Sequence, residues 1–161
     1  WLESYSGYAK TLEEWYRDNA GGDAMELRAK MLGLLHEESR LQDIVQLVGE
    51  DVLPPRQRLI LEISRVIKSG FLQQNAFHRE DAFVPMEKQY GMLKLMEVLY
   101  DRGLAALDKG NPLSLVRDEE VYNKVTKLKY NIPNDDLSGL LKLREEIGRY
   151  YDGLYERYGV K

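Results

Sequence analysis

The chain contains no cysteine. That excludes a disulfide scaffold, a thiolate zinc site and a cysteine nucleophile at once, and it fits a reducing compartment. Only two histidines are present, His36 and His78, so no local cluster of histidines can hold a metal. "HEESR", starting at His36, begins like a zinc-protease helix but lacks the second histidine at the required spacing. No apolar run approaches the ~20 residues that span a bilayer, and no signal peptide is legible. There is no run of Lys and Arg, and the net charge is -4 with a pI of about 5.3. Phosphate binding needs a basic face, so nucleic acid is not the expected partner. Neither a G-x-x-x-x-G-K-[ST] loop nor a G-x-G-x-x-G turn occurs. No alternating strand pattern, internal repeat or low-complexity tract is found.

What is present is helical periodicity over most of 161 residues, a length typical of one domain with a core of its own. The expected fold is all-α: a single-domain bundle of about six helices. The chain opens at Trp1 with "WLESYSGY", already apolar and aromatic, and reads as a piece of a longer polypeptide. A first helix is expected in "GYAKTLEEWYRD", with Ser4 or Ser6 as its N-cap. Gly21 and Gly22 break it, and Asp23 caps a second helix reaching about residue 48. Its apolar positions are Leu27, Met31, Leu34, Leu35, Leu41, Ile44, Val45 and Val48. Gly49 is a natural C-cap, and two prolines suit the first turn of the next helix. Residues 49–58 are therefore a tight helix-turn-helix.

The third helix runs to about residue 68, with Leu59, Ile60, Ile63, Val66 and Ile67 on one side. "GFLQQNAFHREDAFVP" is an irregular stretch or a short helix plus loop. Pro85 opens a fourth helix to about 109, with Tyr90, Leu93, Met96, Tyr100, Leu104 and Leu107 as its buried stripe. A weaker helix follows, in one or two pieces. Asn134, Asp135 and Asp136 favour the positive end of a last helix over about 135–158. Met86, Met92 and Met96 are most simply core filler. Tyr150, Tyr151, Tyr155 and Tyr158 read as core edge and subunit contact ahead of a ligand cage. Adjacent acids such as Glu13-Glu14, Glu37-Glu38 and Glu145-Glu146 diverge on a helix and read as solvated surface. No convergent catalytic set is visible.

One long run, "LQDIVQLVGEDVLPPRQRLILEISRVIKSGFLQQNAF", together with "WLESYSGY", "PMEKQYGMLKLM" and "LKYNIPNDDL", resembles a known family. It is similar to the C-terminal helical domain of the catalytic A subunit of archaeal-type and vacuolar-type rotary ATPases. The block from Leu41 to Phe77 and "EKQY" carry the resemblance most specifically; residues 111–127 carry it least. The resemblance implies that residues 1–161 follow a P-loop nucleotide-binding domain. That domain holds the catalytic lysine, the Mg²⁺ ligand and the water-activating glutamate, so no catalytic residue is expected in this chain. It implies ATP or ADP with Mg²⁺ as ligands of the parent protein, and none for the isolated fragment. It implies non-catalytic B subunits in an alternating hexameric ring and central-stalk subunits as partners. The place would be the cytoplasmic side of a membrane-bound complex, without direct membrane insertion.

Two elements acquire roles from the resemblance. The "FLQQNAF" loop is expected to close over the adenine end of the nucleotide site, with Gln74 and Phe77 first, then Phe71, Gln73, Asn75 and Ala76. A phenylalanine can pack on the base's face, and a carboxamide can serve donor and acceptor on its edge. One helical turn would put Phe71, Gln74 and Phe77 on one side. On the residues alone, Phe71 and Phe77 as core, with the carboxamides capping a helix end, is the simpler account. The turn of Glu50, Asp51, Val52, Leu53, Pro54, Pro55 and Arg56 aligns with the stalk-contacting acidic motif of the related F-type β subunit. Here only two acids remain, so a stiff double-proline lever is expected in place of dense charge. The third helix would link turn and loop over about two to three helical turns, coupling ATP synthesis or hydrolysis to stalk rotation and ion transport. The competing expectation is a free-standing acidic helical interaction module, with the aromatic C-terminal helix as its binding face.

Overall fold

In a computed structural model, Tyr8 and residues 11–158 are described. They form α1 (Glu13–Asn19), α2 (Ala24–Val48), α3 (Pro55–Val66), α4 (Arg79–Ala82), α5 (Met86–Asp108), α6 (Leu113–Val116), α7 (Glu119–Asn131) and α8 (Ser138–Tyr158). Short 3-10 and π turns, Glu50–Val52 and Ile67–Leu72, complete the set. The all-α expectation is met, with no strand among the described residues. The Ser4 or Ser6 cap lies outside the described residues.

α5 is the axis. It touches α2, α3, α6, α7 and α8, and this explains why its expected stripe is too narrow. Met92, Leu95, Met96, Leu99, Gly103 and Ala106 are buried positions, while Tyr90, Leu93, Tyr100, Leu104 and Leu107 are only partly buried. A helix packed on several sides buries more than one face, so a single 3.6-period stripe cannot describe it. Around it, α2 contributes Leu27, Met31, Leu34 and Leu35, and α3 contributes Leu59, Ile63 and Val66. Val121, Val125 and Leu128 come from α7, and Leu143, Ile147, Tyr151 and Leu154 from α8.

Three α8 tyrosines, Tyr151 fully buried and Tyr150 and Tyr155 partly so, tie this core to backbone carbonyls. Tyr150 Oη donates to Leu115 O at 2.6 Å, Tyr151 Oη to Val116 O at 2.7 Å, and Tyr155 Oη to Arg102 O at 2.9 Å. Two of these acceptors lie in the last turn of α6, whose carbonyls lack helical partners.

Three local expectations change. Asp23 stands at the N-cap position of α2, but its side chain accepts no bond from the helix. It instead receives Tyr90 Oη at 2.5 Å and Lys94 Nζ at 2.7 Å from α5. Glu38, expected in solvent, is buried, and both its oxygens accept from Lys68 Nζ at 2.7 Å. Asn134 does not cap α8: its amide groups tie to Glu80 and Phe83, and Asp136 accepts from Ser138 N instead.

The Asp23 strap gives the fold an acid limit. Hydrogen bonds from Lys94 and Tyr90 hold the Asp23 carboxyl below its ordinary value. Burial would raise Glu97, but bonds from Lys94 and Lys30 more than reverse it, leaving it lowered. A carboxyl depressed in the folded state stabilises the fold above its unfolded pKa, and that contribution disappears as pH falls through the folded value. Melting temperature should therefore drop below about pH 4. Asp23→Asn should flatten that drop; an unchanged acid-side slope would remove Asp23 from the account.

Candidate functional site

The turn between α2 and α3 forms as its residues dictate. Gly49 adopts φ +86, a conformation side-chain-bearing residues rarely take, and its N–H closes α2 on Val45 O at 2.9 Å. Pro54 is extended and Pro55 starts α3, where a missing N–H costs nothing. Beneath the turn, Leu41, Leu53 and Leu61 form a small core of their own, with Val45 and Ile60 against it. Leu53 therefore faces inward, beneath the surface that the turn presents. The charges are paired: Glu50 with Arg65, Asp51 with Arg58 at 3.5 Å, and Arg56 with Asp108.

What the turn presents is apolar. Leu47 is 84% exposed and Val52 68%, with Ile44 and Val48 about half exposed. Periodicity places Ile44 and Val48 in the buried stripe of α2. Leu41 and Val45 join the small cluster with Leu53, Ile60 and Leu61, whereas Ile44 and Val48 do not. Leu47 escapes the sequence reading, although an apolar residue just off the stripe beside a turn is the available signal.

From the turn, α3 continues without interruption into the π turn Ile67–Leu72. The Gln73 N–H reaches back five residues to Lys68 O at 2.8 Å. At Gly70, a Cβ would come within 3.2 Å of Thr126 Cα and O; α7 crosses there at backbone contact. The link from Pro55 to Leu72 is then about 27 Å at the rise of a regular helix, longer than the two to three turns expected.

Helix ends at Leu72, and Gln73 is extended. Phe71, Gln74 and Phe77 consequently do not share a helical face. Phe71 is partly buried against the main core, whereas Gln73, Gln74, Asn75, Ala76 and Phe77 are all exposed. Phe77 is wholly so, at 101%. The Asn75 carboxamide is spent on the backbone: its Oδ1 accepts from Phe77 N at 3.0 Å, while Asn75 O accepts from His78 N at 3.0 Å. This is an Asx turn, and it sets the exit of the loop. His78 Nδ1 accepts from Glu80 N at 3.3 Å, capping α4, and its ring meets Tyr130 edge-on at 4.6 Å. Phe83, on the far side of α4, is 79% exposed and is not singled out by sequence.

A cleft of about 200 Å³ runs beside this loop, lined by Phe71, Leu72, Gln74, Asp81, Val84 and Gln89, among others. That is smaller than the ~300–1,000 Å³ of a self-sufficient ligand site. Among the described residues no group of His, Asp and Glu converges as metal ligands. The arrangement can offer a flat ligand an aromatic face and a carboxamide edge.

A polar cluster supports the loop from below. Lys88 and Lys129 are fully buried, as is Asp81. Lys88 Nζ donates to Lys129 O at 2.9 Å, Ile132 O at 2.6 Å and Asn134 Oδ1 at 2.7 Å. Burial pushes its ammonium below the ordinary lysine range, while Glu80 and Asp81 pull the other way. Lys129 Nζ reaches Gln73 O and lies 3.1 Å from Asp81 Oδ2. None of these residues is legible as functional in the sequence, because a lysine on a helix reads as surface: Lys88 stands between Glu87 and Gln89, and Lys129 between Leu128 and Tyr130.

Residues 13–117 match the family model described as the C-terminal domain of V and A type ATP synthase. The V-type ATP synthase alpha chain 2 of Clostridium tetani is 54% identical over 158 residues, 98% of this chain and 27% of that protein. The V-type ATP synthase alpha chain of Halothermothrix orenii is 49% identical over 98% of this chain and 27% of its own length. The V-type ATP synthase alpha chain of a Thermoanaerobacter species is 43% identical over 97% and 26%. The chain thus spans about a quarter of the length of the relatives it matches.

Proposed function

Because the chain belongs to the family of C-terminal domains of V and A type ATP synthases, we propose that it is the coupling domain of a catalytic A subunit. In this reading residues 1–161 follow a nucleotide-binding domain that supplies the P-loop, the Mg²⁺ ligands and the catalytic groups. The Gln73–Phe77 loop closes the adenine end of that site. The observation that carries this is Phe77: a phenylalanine at full exposure, on a loop whose backbone is tied down. Exposing that ring to water is unfavourable by roughly 1.5–3 kcal/mol relative to burial, and a base stacked on it would recover much of this.

The second contact is the α2–α3 turn against a rotating central stalk. Its acids are neutralised by arginines on the same domain, so the contact is steric and apolar through Leu47, Val48, Val52, Pro54 and Pro55. The unbroken α3 joins the two ends. Closing the loop on nucleotide would swing the turn against the stalk, and stalk rotation would open the loop, a reciprocal coupling. The partners are B subunits in an alternating hexameric ring and the stalk, at the cytoplasmic side of a membrane-bound complex that makes or hydrolyses ATP and moves ions.

A photoreactive adenine nucleotide, 8-azido-ATP, tests the first contact in the full-length chain. Label is expected on the peptide holding residues 73–78, suppressed by excess ATP. Label confined to sequence outside residues 1–161 would sink the adenine contact.

A further inference from the structure

The Gln73–Phe77 loop joins two features that seldom coincide: exposed side chains and a backbone held by buried charge. Lys129 Nζ, projecting from α7, holds the Gln73 carbonyl and the Asp81 carboxylate together. Asp81 Oδ2 in turn receives Asn75 N at 2.6 Å. One ion pair therefore fixes the backbone on both sides of Gln74. The Asx turn of Asn75 then carries the constraint to Phe77. Behind the pair, Lys88 binds the carbonyls of Lys129 and Ile132, anchoring the end of α7 from which Lys129 reaches out. Asn134 links Lys88 to the α4 side through Glu80 and Phe83.

Stability does not explain this arrangement. Desolvating charged groups costs several kcal/mol each, and apolar residues of similar volume commonly serve a core as well or better. The cluster holds two fully buried cations, and the Asp81 Oδ1 atom is buried with no hydrogen-bond partner. What an ion pair supplies that leucines do not is a fixed geometry for particular backbone groups. Here those groups are the Gln73 carbonyl and the Asn75 amide.

We propose that Asp81 and Lys129, backed by Lys88, are positioning residues that clamp the Gln73–Phe77 backbone, so that Gln74 and Phe77 meet a nucleotide base without a further ordering cost. The nucleotide half of this rests on the adenine-contact reading above; the clamp itself does not. Ordering a free loop on binding would cost backbone entropy, which the clamp would meet in advance, during folding. The deletion of one charge would strand the other, so the informative variant is the double replacement Asp81→Asn with Lys129→Met in the full-length chain.

Hydrogen exchange read by mass spectrometry should show the 73–78 amides exchanging about tenfold faster or more, the scale of losing a hydrogen bond to a charged group. Amides of α5 should keep their protection. The KM for ATP should rise by a similar factor, about tenfold, with kcat changed less. Asp81→Asn with Lys129→Gln strands no charge, keeps a neutral hydrogen-bonding pair at the two positions and should show a smaller rise. It carries the test if the first double variant loses protection in α5. Unchanged exchange at 73–78 overturns the proposal. Faster exchange with an unmoved KM overturns it equally, provided Phe77→Ala raises KM in the same protein. If Phe77→Ala leaves KM unmoved too, the adenine reading fails and exchange decides the clamp by itself.

Discussion

Phe77→Ala in the full-length chain is expected to raise the KM for ATP about tenfold, within the ~1–3 kcal/mol that one aromatic side chain contributes by stacking on a base. The fold should not notice. Phe77 is fully exposed and touches no core cluster, and surface substitutions of that kind stay within about 0.5 kcal/mol. This separation makes the variant decisive. A change in KM at constant melting temperature isolates the ligand contact from any structural effect. Phe71→Ala makes the opposite prediction, because Phe71 packs against the main core and its loss would lower stability as well. Unchanged nucleotide affinity and turnover in Phe77→Ala would remove the adenine contact from the proposal.

The two phenylalanines show where sequence reasoning reaches and where it stops. That "FLQQNAF" is unusual can be seen from its composition: three carboxamides between two aromatic residues serve no helix core. Which phenylalanine stays outside cannot be seen. The answer depends on where the helix ends, which is at Leu72, two residues past the point where α7 crosses at Gly70 from a distant part of the sequence. One helical turn would place Phe71 with Phe77; the extended Gln73 parts them. Local signals perform well where local physics decides. Gly49 and Pro54-Pro55 specify the α2–α3 turn by backbone preference alone, and α2 begins within a residue of where Gly22 and Asp23 place it.

Signals fail where several partners converge. The expected stripe of α5 is one face of a helix that has neighbours on most sides. Asp23 has cap chemistry but finds a stronger partner in Lys94. The buried lysines are the clearest case. Nothing in "PMEKQYG" or "KLKYNIP" separates Lys88 and Lys129 from surface lysines, because their acceptors are carbonyls and a carboxylate brought in from α4, α7 and the loop. Buried polar networks are assembled by tertiary structure, and periodicity carries no record of them.

Replacing Pro54 and Pro55 together by glycine should have its main effect on coupling. Both prolines sit in conformations that proline favours, with Pro54 extended at φ -54 and Pro55 in the first turn of α3. Glycine at each would cost about 0.4–1 kcal/mol by freeing the unfolded chain, a loss the main core can absorb. Leu53 would still be held by Leu41 and Leu61, so the turn would remain in place but become compliant under load. A compliant tip transmits less of the α3 displacement to whatever it pushes. The Gln73–Phe77 loop lies about 27 Å away along the helix and would keep its geometry. ATP hydrolysis by the assembled enzyme should therefore change little, while ions moved per ATP should fall about fivefold, the low end of the coupling free energies that link distant sites. Val52→Asp together with Leu47→Asp should give the same split through the partner surface, by placing charge where the turn presents apolar contact. Loss of hydrolysis and transport in equal proportion would mean that the turn supports the catalytic site directly. Transport and hydrolysis both unchanged would mean that α3 ends in an ordinary connector, and the lever would lose its support.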